Sequence, residues 1–356
     1  MSGPIAVILV AHPIAALVSA AAIRAARAMA EGYEQAAELR ESHAASRQAQ
    51  DATQDAARSQ GLESLENEAR ATEARFDRLL ALSEQLGATE RVRATRPVRP
   101  AAGDPIALAA YTRGLKVFGD DLEAILLTET AKRRKDLEAD IPDVAIPGTA
   151  AAPAQRASQH LIARIAHLGP PPEDVAKLAR ELDDALPGER ADLLANELRR
   201  RIQLLAEESQ QRLVQEATAT IVRQSLVDMG YQVEEIADTL FVEGGTVHFR
   251  RSDWGDYMVR MRVDAHGRGA NFNVVRAVDT GTNERSAMDH LAEDRWCAEF
   301  PALLKSLEAR GVRLDVTRRV AAGELPVQLV ERSKLPKFVA DEDRMPAAKP
   351  RSLRRE

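Results

Sequence analysis

Hydrophobic positions follow different periods along this chain, and the changes of period mark its elements. From Met1 to Ile23 there is no charged side chain, and Arg24 and Arg27 end the run. About twenty uncharged, mostly apolar residues are enough to cross a bilayer as a helix. The large aliphatics between Ile5 and Ile23 favour insertion by roughly 3 to 5 kcal/mol, against His12, Pro13 and Ser19. On insertion, Arg24 and Arg27 stay on the cytoplasmic side. Two other readings compete. IAVILV, bounded by Pro4 and His12-Pro13, has the length and β-branched content of a buried strand. Ala15, Ala16, Ala20, Ala21 and Ala22 suit close helix packing in a soluble bundle. A membrane anchor over 1–23 leads the three.

Residues 24–90 read as a helical stalk or coiled coil. One helix is expected from 14 to about 58, losing its apolar face beyond Leu39. Gly61 is expected to break it, and Leu62, Leu65, Ala69, Phe76, Leu79 and Leu86 restore a stripe. Pro97 and Pro100, set among Arg91, Arg93, Arg96 and Arg99, make 91–104 a solvated basic linker. Asp104 followed by Pro105 starts a helix. The 105–188 region reads as helical, punctuated by IPDVAIPGTAAAP, GPPP and Pro187-Gly188. From Glu189 to about Met229, Leu193, Leu194, Leu198, Ile202, Leu205, Leu213, Ala217, Ile221 and Leu226 form a coiled-coil-like seam.

Beyond Tyr231 the period falls to two. A hairpin is expected around Gly244-Gly245, then strands over DYMVRMRVD and NFNVVRAV. On the first of these, Tyr257, Val259, Met261 and Val263 face a core, while Arg260 and Arg262 point away. A helix over 284–310 brings Met288, Leu291, Trp296, Phe300, Leu303 and Leu307 to one sheet face. VRLDVTRRV and LPVQLVE add strands. The fold class is therefore mainly α with a C-terminal α+β domain. It has a long N-terminal helix or coiled coil, a helical middle, and an antiparallel β-meander packed by helices. The long helix and the α+β domain occupy 189–332, and 333–356, rich in Lys, Arg and Pro, reads as a disordered tail.

Composition supports this outline. Aromatics make up 4% of the chain and charged residues 29%, the balance of long helices rather than of one large core. A net charge of −6 over 356 residues argues against bulk nucleic-acid binding. Cys297 is the lone cysteine, so an intrachain disulfide framework and a cysteine-based zinc cluster are excluded. Neither a GxxxxGK[ST] nor a GxGxxG loop lies between a strand and a helix, and no cofactor or metal is expected.

The loop RRSDWGDY is the best candidate for binding. It gathers Arg250, Arg251, Asp253, Trp254 and Asp256, and Arg260 and Arg262 follow on the next strand. Arginine forks suit carboxylates and phosphates, so an anion or peptide is the ligand expected there. The plainer reading makes the aspartates turn-formers, Trp254 a plug and the arginines a solvated face. His290, Glu293 and Cys297 share a helix face at spacings of three and four, but no partner motif makes them catalytic.

The function expected is a non-enzymatic adaptor or scaffold. An N-terminal anchor and stalk would present the C-terminal domain to a protein partner, single-pass with a cytoplasmic body. Self-association through the helical stripes is expected, because each needs another helix to cover it. The alternatives are a soluble cytoplasmic subunit of an assembly, or an enzyme or nucleic-acid-processing component using the face at 250–262.

Overall fold

The computed structural model describes residues 5–44, 53–101, 104–138, 153–265, 267–279 and 286–338. The chain is mainly α with a C-terminal α+β domain. It forms two compact units, one of residues 13–214 and one of residues 1–12 with 215–356.

The helical unit contains α1 (Pro13–Ala44), α2 (Thr53–Ser83), α3 (Thr89–Thr95), α4 (Pro105–Glu138), α5 (Pro153–Ala163), α6 (Glu173–Asp183) and most of α7 (Glu189–Asp228). Of the helix expected over 14–58, residues to Ala44 lie in α1 and those from Thr53 in α2, with 45–52 outside the described residues. Gly61 lies inside α2, where an added Cβ would meet nothing within 4 Å. A helix tolerates such a glycine at a cost of about 1 kcal/mol.

Helices α1 and α4 pack through small residues. A Cβ on Gly114 would lie 2.9 Å from the carbonyl oxygen of Ala25, and one on Gly32 3.2 Å from the Cα of Ala110. Arg24 Nε donates to Asp121 at 2.8 Å across the same seam. On α2, Ala69, Phe76 and Leu79 are buried, and the Phe76 ring sits 5.2 Å from that of Phe118 on α4. Leu198 and Ile202 of α7 join Leu161, Ile165, Val175 and Leu182 of the α5–α6 region in a second core. Part of each stripe is thus covered inside one chain, whereas Leu193 on α7 is exposed.

The basic linker is also not a free spacer. It begins in α3, whose Val92 is fully buried. Arg96 donates to Asp77 at 2.7 Å and Arg99 to Glu73 at 2.8 Å, both carboxylates on α2.

The α+β unit is built on β1 (Ile5–Ala11), β2 (Gln232–Val233), β3 (Gly245–Arg250), β4 (Tyr257–Val263), β5 (Gly269–Val278), β6 (Val312–Arg319) and β7 (Gln328–Glu331), with short α8 (Leu240–Glu243) and long α9 (Ala287–Ala309). The sheet order is β2-β3-β4-β5-β1-β6, and β7 also pairs with β5. All pairings are antiparallel except β5 with β7. One edge of β5 is shared. β1 takes its first half, Gly269–Phe272, and β7 its second, Val275–Val278.

Residues 1–23 are therefore not one helix. Ile5–Ala11 is an interior strand, paired with β5 on one side and with the whole of β6 on the other. Ile5 and Val7 are buried, whereas Ile8 and Val10 on the opposite face are exposed by 48% and 43%. The helix that follows remains apolar. Pro13–Ala36 is long and apolar enough to cross a membrane, with a mean hydropathy of 1.3 and half of the tested window buried inside the protein.

Other expectations change too. The Gly244-Gly245 hairpin is absent. Phe241 and Val242 lie in α8, and Gly244 (φ 80°) lets the chain pass Asp264 and Ala265, where a Cβ would sit 2.8 Å from a backbone nitrogen. On α9, Trp296, Phe300, Leu303 and Leu307 are buried, but Met288 and Leu291 face outward. The region after 332 begins ordered, with Leu335 and Phe338 packed on Met258, Val275 and Ala277. His266, most of the 141–153 linker and residues 339–356 lie outside the described residues.

The alternation along β1 yields a direct test. Ile5→Ala is expected to cost about 2 to 5 kcal/mol and Ile8→Ala less than about 1 in urea unfolding. Equal effects of the two changes would refute the strand.

Candidate functional site

Strand β4 alternates as its sequence demands. Tyr257, Val259, Met261 and Val263 are buried on the face covered by α9, and Arg260 and Arg262 stand on the opposite face. Register gives Arg260 two neighbours, His248 on β3 and Asn273 on β5. Arg262 lies between Thr246 and Asn271 in the same way. Arg262, Thr246 and Asn271 are exposed. Arg260 is half-buried. It donates to Gln328 Oε1 at 2.5 Å, and its Nε is buried with no hydrogen-bond partner among the described residues. Burial, and then the neighbouring Arg262 charge, hold the Arg260 pKa below the usual arginine value.

The other five residues expected at the site disperse. Arg250 shares the outward face but is buried, with its guanidinium 4.7 Å above the Phe338 ring. Asp256 accepts from Arg332 at 2.9 Å. Arg251, Asp253 and Trp254 turn instead towards α9 and the end of α7. Arg251 donates to the Met229 carbonyl at 2.6 Å, which satisfies one of the open carbonyls at the C-terminus of α7. It also donates to Glu299 at 3.2 Å. Asp253 accepts from Arg295 at 2.5 Å, which holds its carboxyl below the usual range. Trp254 is buried edge-on to Tyr231. The Tyr231 hydroxyl donates to Glu299, and burial followed by that carboxylate pushes its pKa far above the ordinary phenol value. These contacts make the loop a structural clasp.

The His290, Glu293 and Cys297 set separates as well. His290 pairs with Asp294 at 3.2 Å, and buried Glu293 accepts the Gly323 N–H at 2.8 Å. Cys297 is half-buried, and its carbonyl accepts from Arg319 at 3.1 Å. His248 Nδ1 lies 3.0 Å from Glu234. No group of three or more metal-ligating side chains occurs among the described residues. In the helical unit, Ser158, Gln159, Arg180 and Asp183 edge a shallow groove of about 650 Å³ between α5 and α6.

Beyond buried Arg250, the outward face therefore holds Arg260 and Arg262 flanked across the strands by Thr246, His248, Asn271 and Asn273. Sequence reading missed the flanking residues. Asn271 and Asn273 fall at alternate positions of NFNVVRAV, and that spacing was the available signal. Thr246 and His248 were reachable only through the register of β3. In comparison with known proteins, the chain matches no family model, no curated protein and no solved structure.

The clasp makes a prediction about alkaline stability. A phenol with a raised folded-state pKa contributes stability that is complete below its unfolded value near 10 and declines as pH rises above it. Tyr231→Phe should reduce the loss of unfolding free energy between pH 10 and 11 by about one proton's worth, ~1.4 kcal/mol per pH unit. An unchanged slope in urea titrations would show that Tyr231 ionises freely in the folded chain.

Proposed function

We propose that this chain is a non-enzymatic scaffold whose α+β unit holds a partner protein on its outward sheet face. The observation that carries the reading is the Arg260–Arg262 pair, set among Thr246, His248, Asn271 and Asn273 on three adjacent strands. Arginine forks with adjacent amides can orient carboxylates or backbone carbonyls. The net charge of −6 favours a protein ligand over nucleic acid, whose phosphates demand an excess of basic charge.

The soluble form of the scaffold is the better supported. β1 precedes the apolar helix α1, and its partners β5 and β6 follow it. One crossing of a bilayer by α1 would put β1 on the far side from both partners. A single crossing by α1 would therefore cost the sheet its β1 strand, which supports the soluble reading.

Two measurements test this reading. After alkaline carbonate, the expressed full-length chain should remain in the supernatant, and retention in the membrane pellet would restore the anchor. A photo-cross-linking residue placed at Asn271 should capture a discrete partner in the source cells, and one at exposed Leu193 on α7 should not. Identical patterns at both positions would sink the proposal that the sheet face is the binding surface.

A further inference from the structure

We infer that the outward sheet face is the docking surface for an acidic peptide segment bearing aliphatic side chains, supplied by a partner protein. This inference rests on the scaffold reading above and names the chemistry of the partner.

Charge carries the first part of the argument. Several arginines of this unit sit on carboxylates: Arg276 on Asp289, Arg295 on Asp253, Arg310 on Asp228, Arg313 on Asp315. Arg260 and Arg262 stand two residues apart on one face, about 7 Å between Cα atoms. All four of their register neighbours lack a carboxylate. Two like charges about 7 Å apart on one face repel each other, and an opposite charge brought to them is attracted by both. Among the described residues the buried Arg260 Nε has no hydrogen-bond acceptor, so its guanidinium is only partly satisfied by Gln328. A carboxylate brought to the face can take charge-assisted hydrogen bonds from the exposed Arg262 fork and offset the like charge of Arg260.

Shape and apolar surface carry the second part. Across β5 from Arg262 the same face continues through Asn271 to Ala6 on β1, and then along β1 to Ile8 and Val10. Both aliphatic side chains are nearly half exposed. They lie further along the same surface, Ile8 between Gly269 of β5 and Asp315 of β6 and Val10 opposite Arg313. The far end of the face is closed by Leu335 and Phe338 packed on Met258 and Val275. A ligand therefore meets positive charge in the middle of the sheet and aliphatic surface towards its β1 side. That combination selects a segment with Glu or Asp interspersed with Leu, Ile or Val.

The test uses full-length protein and a fluorescein-labelled synthetic peptide alternating Glu and Leu, with the Gln and Leu peptide as control. Fluorescence anisotropy should show the acidic peptide binding and the neutral one not, with affinity falling as salt is raised. Arg260→Gln with Arg262→Gln should weaken binding at least ~tenfold. If the double variant melts lower than the parent, Arg262→Gln alone, at an exposed position, should still weaken it measurably. Ile8→Ser should weaken both salt-resistant and total binding. Equal binding by parent and arginine variants, or no binding at all, overturns the inference. Binding that appears only when Asp341→Asn, Glu342→Gln and Asp343→Asn are combined would assign the face to the chain's own acidic triplet and equally overturn the partner assignment. Should Asn271 cross-link a partner while the acidic peptide fails to bind, the scaffold reading stands and this inference falls.

Discussion

The insertion of β1 between β5 and β6 is the constraint on which the α+β unit depends. Without it, half of one edge of β5 and the inner edge of β6 would each present a row of unpaired backbone groups, and buried ones cost free energy comparable to lost hydrogen bonds. The strand also supplies Ile5 and Val7 to the core and leads directly into α1. Its pairing is extreme in sequence separation. The Thr317 hydroxyl donates to the Ala6 carbonyl, 311 positions earlier. Closure of such a loop is entropically expensive to reach and slow, so the sheet is completed only when both chain ends are present. The first dozen residues thus belong to the last third of the protein, which is why a reading along the chain assigns them elsewhere.

That assignment shows where the sequence is legible. Alternation in DYMVRMRVD and NFNVVRAV is strong because one face is apolar and the other polar, so β4, β5 and the outward aim of Arg260 and Arg262 can be read directly. IAVILVA has apolar residues on both faces, although only Ile5 and Val7 are buried. Without contrast, periodicity cannot separate a strand from the start of a helix. The alanines that follow are informative in the opposite way. They pass for weak membrane-spanning residues, but beside Gly32 and Gly114 they read as small-residue packing between two helices.

The candidate site was legible to a similar depth. Loop residues close in sequence diverge in space because adjacent positions around a turn serve opposite faces. Arg250 remains on the outer face while Arg251 reaches back to Met229 and Glu299. The basic run at 91–99 looks solvated because its partners, Glu73 and Asp77, are set by the packing of α2, which no local pattern encodes. Charge partners at long separation are the information a single sequence carries least.

Most of the ion pairs here are exposed, and exposed pairs contribute roughly 0 to 1 kcal/mol each. Their use is specification: they tie Arg96 and Arg99 to α2, Arg295 to the 251–256 loop, and Arg310 to the end of α7. Arg260 and Arg262 have no carboxylate among their register neighbours. The sheet bears their mutual repulsion and the desolvation of Arg260. Consistency across local and global preferences is what lets a sequence specify its fold, and departures from it concentrate where function is served. Replacing the pair by threonine or glutamine would satisfy β4 at least as well as a strand. The acidic ligand proposed above would offset that cost by bringing carboxylates to the pair.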